Sequence, residues 1–148
     1  MVDKYAIAQL LKDPIAGEGT GPMRGDRMLM YLDPRGVPTI GYGRNLRDNG
    51  VSQQEAEAML DADIISAEQE CLTSFPFWLS LPRDAQTVMV CLTFNMGIVN
   101  LLGFHHMIDY LSKGNFPKAA DHLLQSLWAH QVQPARRDLM VSMLRDCD

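Results

Sequence analysis

The 148-residue chain carries a carboxylate and a hydroxyl that could act together within its segment 31–45, YLDPRGVPTIGYGRN. Asp33 opens the sequence DPRG, which has Asp, Pro and Gly at the first, second and fourth positions of a type I turn. β-Forming residues flank this turn, so we expect a β-hairpin with strands Met28–Leu32 and Val37–Ile40. Asp33 and the hydroxyl of Thr39 on the returning strand would then lie close together and could position one water molecule.

Gly41 and Gly43 alternate with Tyr42 directly after this hairpin. A glycine has no Cβ atom, so a backbone or a ligand can approach it closely. We interpret Gly43 as a position that contacts a ligand. A D-x-x-G turn followed by glycines is also typical of a small hairpin with a purely structural role, and the turn by itself leaves both interpretations open.

The complete string Y-x-D-x-x-G-x-x-T-I-G-Y-G resembles the hairpin signature of the phage-type lysozymes, the muramidases of glycoside hydrolase family 24, at eight fixed positions in thirteen. The resemblance implies that Asp33 and Thr39 are the water-positioning carboxylate and hydroxyl, and that Tyr31 contacts the substrate. It implies an α+β fold of two lobes joined by a long helix. It also implies hydrolysis of the bond between N-acetylmuramic acid and N-acetylglucosamine in peptidoglycan, without a metal ion or a cofactor.

The general acid is the point where this chain departs from the family. There a glutamate followed by glycine lies seven residues before the hairpin tyrosine, whereas here Glu18-Gly19 precedes Tyr31 by thirteen residues. The position without a gap holds Arg24, followed by Gly25. Either six residues are inserted between the acid and the hairpin, or the chain has arginine where the family has its acid. We expect the insertion, with Glu18 as the acid and the extra residues as a glycine-rich flap.

Glu18 and Asp33 would form the pair of carboxyl groups that an inverting glycosidase uses, one as acid and one as base, ~6.5 to 9.5 Å apart. Two alternatives stay open. A displaced glutamate would give a muramidase with an altered cleft, or a transglycosylase, if no water is held in place. Replacement of the acid by Arg24 would give a catalytically inactive wall-binding or phage structural protein.

Composition restricts the function classes further. The net charge is −5, residues 51–72 hold six acidic residues and no basic one, and no basic face is apparent, which argues against nucleic-acid binding.

The N-terminus lacks the apolar core of a signal peptide, and no apolar run approaches the ~18 residues of a membrane span. We therefore expect a monomer made in the host bacterial cytoplasm that acts on periplasmic peptidoglycan after release. The three cysteines show no metal-ligand spacing.

The elements that must position these residues are mostly helical. A short amphipathic helix over 3–12 should end at Pro14, and segment 14–26, with four glycines and two prolines, is typical of a loop. Ser52 and Glu55 form a capping box that opens a helix reaching about residue 72. Its apolar residues recur near helical spacing: Ala56, Met59, Leu60, Ile64, Ile65 and Ala67.

A second long helix is predicted over Arg83–Met96, which is apolar almost all round and should be buried. We expect Leu92 to be enclosed there and Phe94 to be a packing residue near the cleft. Trp128 to Gln131 and the following Arg136-Arg137 resemble the W-x-x-Q segment and the arginine-bearing final helix of the family. The string Phe94-Asn95-Met96-Gly97 resembles the family's central helix and its exit. Together these resemblances imply substrate contacts at Phe94, Gln131, Arg136 and Arg137, with one arginine facing the acid.

These elements predict one lysozyme-like domain over 1–148. Its N-terminal lobe would span about 13–52 and contain the β-hairpin. A bridging helix over 53–72 would lead to a helical lobe over 73–148, which the N-terminal helix 3–12 would join.

Overall fold

The computed structural model describes residues 2–14, 17, 19 and 21–148 of the chain. Its fold class is α+β, as expected, with short antiparallel strands near the N-terminus and a helical C-terminal part. The chain forms two compact units, Met1–Ala56 and Glu57–Asp148. The N-terminal helix belongs to the first unit by its contacts, so its association with the helical lobe stays a prediction.

The N-terminal helix α1 spans Lys4–Lys12. Asp3 caps it, because its Oδ1 atom accepts hydrogen bonds from the backbone N–H groups of Tyr5 and Ala6 at 3.0 and 3.1 Å. The helix ends just before Pro14, as predicted. No residue of α1 is buried, so its apolar side chains do not contribute to the core of the described structure.

In the described residues after α1, five short strands form two sheets. Strand β1 (Met23–Arg24) pairs with β2 (Arg27–Met28), and a second sheet has the order β3-β4-β5, from Tyr31–Leu32, Pro38–Ile40 and Arg44–Asn45. The predicted loop 14–26 therefore contains part of a hairpin, and the predicted strand 28–32 is interrupted at Leu29 and Met30. The turn of this first hairpin is Gly25-Asp26, in which Gly25 has φ +59°. Glycine-rich composition predicted a loop, but a glycine in this conformation also suits a two-residue hairpin turn.

The hairpin between β3 and β4 has the predicted turn. The N–H of Gly36 donates to the carbonyl of Asp33 at 2.8 Å, and the N–H of Asp33 donates to the carbonyl of Val37 at 3.0 Å. Gly36 has φ +72°, which is the left-handed position that follows a type I turn in a three-residue hairpin loop. Tyr31 lies opposite Thr39 in the register of the two strands.

Helix α2 spans Gln53–Ser74 and begins with the predicted capping box. The N–H of Ser52 donates to Glu55 Oε2 at 2.8 Å, and the N–H of Glu55 donates to Ser52 Oγ at 3.2 Å. Only Ala67 and Cys71 of this helix are buried. Of the apolar residues predicted to recur along this helix only Ala67 is buried, whereas the others are exposed: Ala56, Met59, Leu60, Ile64 and Ile65.

Helix α3 spans Arg83–Met96, with the predicted bounds, and lies in the core of the second unit. Leu92 is 0% exposed, as expected. The expectation that this helix is buried all round is wrong, because Cys91 and Phe94 are exposed on its other face. Five of its residues are buried: Ala85, Val88, Met89, Leu92 and Thr93.

The remaining helices complete the second unit. A 3₁₀ turn, Trp78–Ser80, precedes α3, and the helices that follow are α4 (Ile98–Leu102), α5 (His105–Ser112), α6 (Phe116–Leu124), α7 (Leu127–Gln131) and α8 (Pro134–Arg145). Of these, α4 and α8 pack against α3. Helix α6 packs on α5 and α8, and its buried residues include Ala120 and Leu123. In the described part of the chain, no helix is both long enough and apolar enough to cross a membrane.

Candidate active site

The carboxylate of Asp33 is held by the backbone of its own turn. Its Oδ1 atom accepts hydrogen bonds from the N–H groups of Arg35 at 2.8 Å and Val37 at 2.9 Å. Its Oδ2 atom lies 3.3 Å from Nη2 and 3.4 Å from Nε of Arg35. The side chain of Asp33 is 20% exposed and that of Arg35 is 78% exposed. One oxygen is therefore fixed by two amides, while the other faces a loosely held guanidinium.

These bonds favour the ionised form of Asp33. The Val37 N–H bond lowers the pKa of this carboxyl, partial burial opposes that effect, and the N–H and guanidinium of Arg35 lower the pKa further. Asp33 is accordingly a carboxylate at neutral pH. It suits the role of a base or of a stabiliser of positive charge, and not that of a proton donor.

Thr39 shares a face of the hairpin with Asp33. Residues two apart on a strand point the same way, and Asp33 faces Val37 just as Tyr31 faces Thr39 across the hairpin. Asp33 and Thr39 are diagonal neighbours, which are typically ~7 to 8 Å apart with a somewhat shorter distance between their Cβ atoms. That separation leaves room for a bridging water molecule.

The hydroxyl of Thr39 is buried and has a defined donor role. The residue is 4% exposed, and Oγ1 donates to the carbonyl of Val37 at 2.9 Å. Among the described hydrogen bonds none joins Thr39 to Asp33, so the two side chains do not contact each other directly. With its hydrogen committed to Val37, the Thr39 oxygen can only accept a hydrogen bond from a further group.

Tyr31 packs against the loop that precedes the hairpins. A Cβ atom at Gly21 would lie 2.7 and 2.9 Å from two carbons of the Tyr31 ring, and Gly21 has φ +64°. Only glycine fits under the ring in this conformation. Tyr31 therefore positions the backbone just after Glu18-Gly19, a contact that the sequence pattern did not predict.

Gly43 lies in an open groove of about 560 Å³ in the first unit, lined by Ile40, Gly41, Tyr42, Gly43, Arg44 and Asn49. Gly41 and Gly43 adopt φ +62° and +87°, which suit glycine alone. The ammonium of Lys12 lies 5.4 Å from the centre of the Tyr42 ring, within range of a cation–π interaction. The groove thus offers an aromatic face and polar groups to a ligand.

Arg44, which lines this groove, forms hydrogen bonds to residues at and just before the start of α2. Its Nη1 and Nη2 atoms donate to the two carboxylate oxygens of Glu55 at 2.8 and 2.7 Å, and Nη1 also donates to the carbonyl of Gly50 at 3.2 Å. Ser52, through its N–H and then its hydroxyl, lowers the pKa of Glu55, and Arg44 adds to this effect. Sequence reasoning found the capping box and missed Arg44, because the partners are eleven residues apart.

Phe94 and Arg136 line one cavity of about 340 Å³ in the second unit, together with Thr87, Cys91, Asn95, Leu139, Met140 and Met143. Phe94 is 48% exposed, so it is a wall of this cavity and not the packing residue that we expected. The apolar side of α3 that faces the core is occupied by Leu92 and its buried neighbours, which leaves Phe94 on the open side.

The three remaining predicted contacts differ in their surroundings. Arg137 donates to Asp138 at 2.7 Å, a bond that raises the pKa of Arg137. Arg136 forms no ion pair with any residue that the structure describes. Gln131 is exposed at the end of α7 and does not line the cavity of Phe94 and Arg136.

Glu18, the predicted acid, lies outside the described residues. The chain that follows it forms the β1–β2 hairpin, with Arg24 exposed on β1. Within the described ranges, no group of three or more His, Cys, Asp or Glu side chains is arranged to hold a metal ion.

The chain is similar to known proteins at low sequence identity. It is 23% identical over 137 residues to the pre-baseplate central spike protein Gp5 of Enterobacteria phage T4, covering 74% of this chain and 24% of that protein. It is 21% identical over 150 residues to the probable T4-type lysozyme 1 of Dictyostelium discoideum, covering 81% of this chain and 87% of that protein. The chain therefore spans about a quarter of the length of the spike protein.

The family model described as phage lysozyme matches residues 22–139. The matched span contains Asp33, Thr39 and all six predicted substrate contacts, and it begins after Glu18. It covers most of the chain and confirms the resemblance seen in the hairpin. The chain belongs to the phage lysozyme family.

Proposed function

We propose that this protein is a muramidase that hydrolyses the glycosidic bond between N-acetylmuramic acid and N-acetylglucosamine in bacterial peptidoglycan. One observation carries the proposal: an ionised Asp33, fixed by two backbone amides, shares a hairpin face with a Thr39 hydroxyl that can only accept. Membership of the phage lysozyme family supports it. The proposed biological role is lysis of a bacterial host by a phage or prophage.

The hairpin geometry supports a single displacement by water. A water molecule between the two side chains would donate one hydrogen to Asp33 Oδ2 and the other to Thr39 Oγ1, which would direct its lone pair away from both. Asp33 takes the proton of this water as it attacks the anomeric carbon. Glu18 gives its proton to the leaving oxygen, and the configuration at the sugar inverts.

The proposed substrate contacts are those predicted from the sequence. Tyr31 and Gly43 belong to the first unit, where Gly43 lines the open groove. Phe94, Gln131, Arg136 and Arg137 belong to the second unit, where Arg136 has no carboxylate partner among the described residues. Of the two arginines, Arg136 is therefore the better candidate for binding an anionic group, because Arg137 is engaged with Asp138.

A second candidate is a wall-binding protein without hydrolytic activity. It is favoured by Arg24, which occupies the ungapped position of the family's acid and is exposed on β1. In this case the hairpin would keep its fold but would not catalyse hydrolysis.

Product analysis on purified peptidoglycan separates these candidates. A muramidase releases new reducing ends, a transglycosylase releases anhydro sugars, and a binding protein releases neither. We expect reducing ends from the wild-type protein and none from Asp33→Asn. Anhydro products, or no products with retained binding, would contradict the proposal.

A further inference from the structure

The β1–β2 hairpin brings two arginines directly opposite each other. Arg24 and Arg27 are cross-strand partners on either side of the turn Gly25-Asp26, and both are exposed. Side chains opposite each other in an antiparallel pair have Cβ atoms ~4.5 to 5.5 Å apart, and like charges in these positions are destabilising. The fold of the hairpin gives no reason for this arrangement.

Neither arginine is neutralised within the described part of the chain. Arg35, Arg44, Arg47, Arg137 and Arg145 each have a carboxylate oxygen within 4 Å. Arg24 and Arg27 have no such partner among the described residues, even though Asp26 lies in the turn between them. Two neighbouring guanidinium groups without a carboxylate partner among these residues form a site for one oxyanion, because each presents a planar fork of donors.

The hairpin is anchored next to the open groove by its other face. The Met28 sulphur lies 3.7 Å from where a Cβ atom of Gly41 would stand, and Gly41 lines the groove. Successive side chains of a strand point to opposite faces, so Arg27 points away from Gly41 and towards solvent. The arginine pair therefore lies on the solvent side of the hairpin, on the face opposite the one that contacts Gly41.

We propose that Arg24 and Arg27 bind a carboxylate of the peptides that branch from peptidoglycan. This inference rests on the proposed function, since it takes peptidoglycan as the ligand. The chain has a net charge of −5, so an anionic polymer needs a local cationic contact to approach it. A bound carboxylate replaces the repulsion between Arg24 and Arg27 with charge-assisted hydrogen bonds.

Binding to insoluble peptidoglycan, measured by co-sedimentation at low salt, tests the proposal without requiring turnover. We expect Arg24→Gln/Arg27→Gln to weaken binding about 2- to 30-fold, as for two exposed ion pairs, and to reduce its salt dependence. Its thermal midpoint should not fall, because the substitution removes a like-charge pair. The control Arg47→Gln/Arg145→Gln removes the same charge from two arginines that have carboxylate partners, and should bind as the wild type does.

Binding to two chemically treated preparations of peptidoglycan identifies the ligand. On peptidoglycan whose carboxyl groups have been amidated, the wild type should bind no better than the double variant. On peptidoglycan stripped of phosphate polymers, the difference between the two proteins should persist. If the difference disappears only when phosphate is removed, the carboxylate assignment is wrong.

The outcomes distinguish this inference from the proposed function. Equal binding of the double variant and the wild type would overturn the arginine site and leave hydrolysis intact. Arginine-dependent binding by a wild-type protein that releases no sugar would support the site and overturn the muramidase proposal.

Discussion

At the scale of single residues, the chemistry depends on which way each hydrogen bond of the hairpin runs. Asp33 accepts from two amides and stays ionised, while Thr39 donates to Val37 and is left as an acceptor. The type I turn was predictable because its bonds join neighbours along the chain. The direction of the Thr39 hydroxyl was not, because a buried hydroxyl takes whichever acceptor the fold provides.

Thr39→Val tests the acceptor role. The substitution removes the hydroxyl at nearly constant volume, so the rate of peptidoglycan hydrolysis should fall steeply. The carbonyl of Val37 keeps its bond from the Asp33 N–H, so the free energy of unfolding should fall by only about 0.5 to 1.5 kcal/mol. Thr39→Ser retains the hydroxyl and should keep much of the activity. Wild-type turnover by the valine variant would rule out a water held at this position.

The pH dependence of stability tests the state of Asp33. Its pKa is lowered in the folded protein, so its contribution to stability is present above the ordinary pKa of ~3.9 and is lost as the pH falls through the folded pKa. Asp33→Asn keeps an oxygen for the two amides but does not titrate. Thermal midpoints measured across the acid range should therefore fall less steeply with decreasing pH in the variant. If the thermal midpoints of both proteins fell equally steeply with decreasing pH, the turn would not favour the ionised carboxylate.

At the scale of elements, the features that depend on residues near in sequence were predicted better than the burial of side chains. The capping box of Ser52 and Glu55 and the bounds of α3 follow from residues near in sequence. The β1–β2 hairpin is not predicted by the sequence, because the glycine-rich composition around Gly25 favours a loop, although the same residue fits a two-residue turn. The exposure of Phe94 was missed because it depends on which face of α3 meets the other helices.

Leu92→Ala tests whether α3 is the centre of the helical unit. The side chain is fully buried, and its truncation should lower the free energy of unfolding by about 2 to 5 kcal/mol. The neighbouring Cys91 is exposed, so Cys91→Ala should change that free energy little. Denaturant unfolding of both variants gives the comparison. A small effect at Leu92 would mean that the other face of the helix is the packed one.

At the scale of the whole molecule, the family and the fold class could be predicted from the sequence motif of one hairpin, whereas the position of the acid could not. The string spans fixed spacings of a single turn, and the match to the phage lysozyme family over residues 22–139 includes it. Glu18 precedes that span, and its spacing to Tyr31 differs from the family's by six residues. Spacing along the chain does not predict the position of Glu18, because the residues between it and Tyr31 can fold back on themselves, as the β1–β2 hairpin does.

The hydrolysis rate of Glu18→Gln on peptidoglycan tests the assignment of the acid most directly when it is compared with that of Asp13→Asn, since Asp13 is another carboxylate that precedes the hairpin. Loss of a positioned acid typically costs ~10² to 10⁴ in rate. We expect Glu18→Gln to lose activity to this extent with its thermal midpoint nearly unchanged, and Asp13→Asn, at the end of α1, to remain active. Full activity of Glu18→Gln together with an inactive Asp13→Asn would contradict the assignment of the acid.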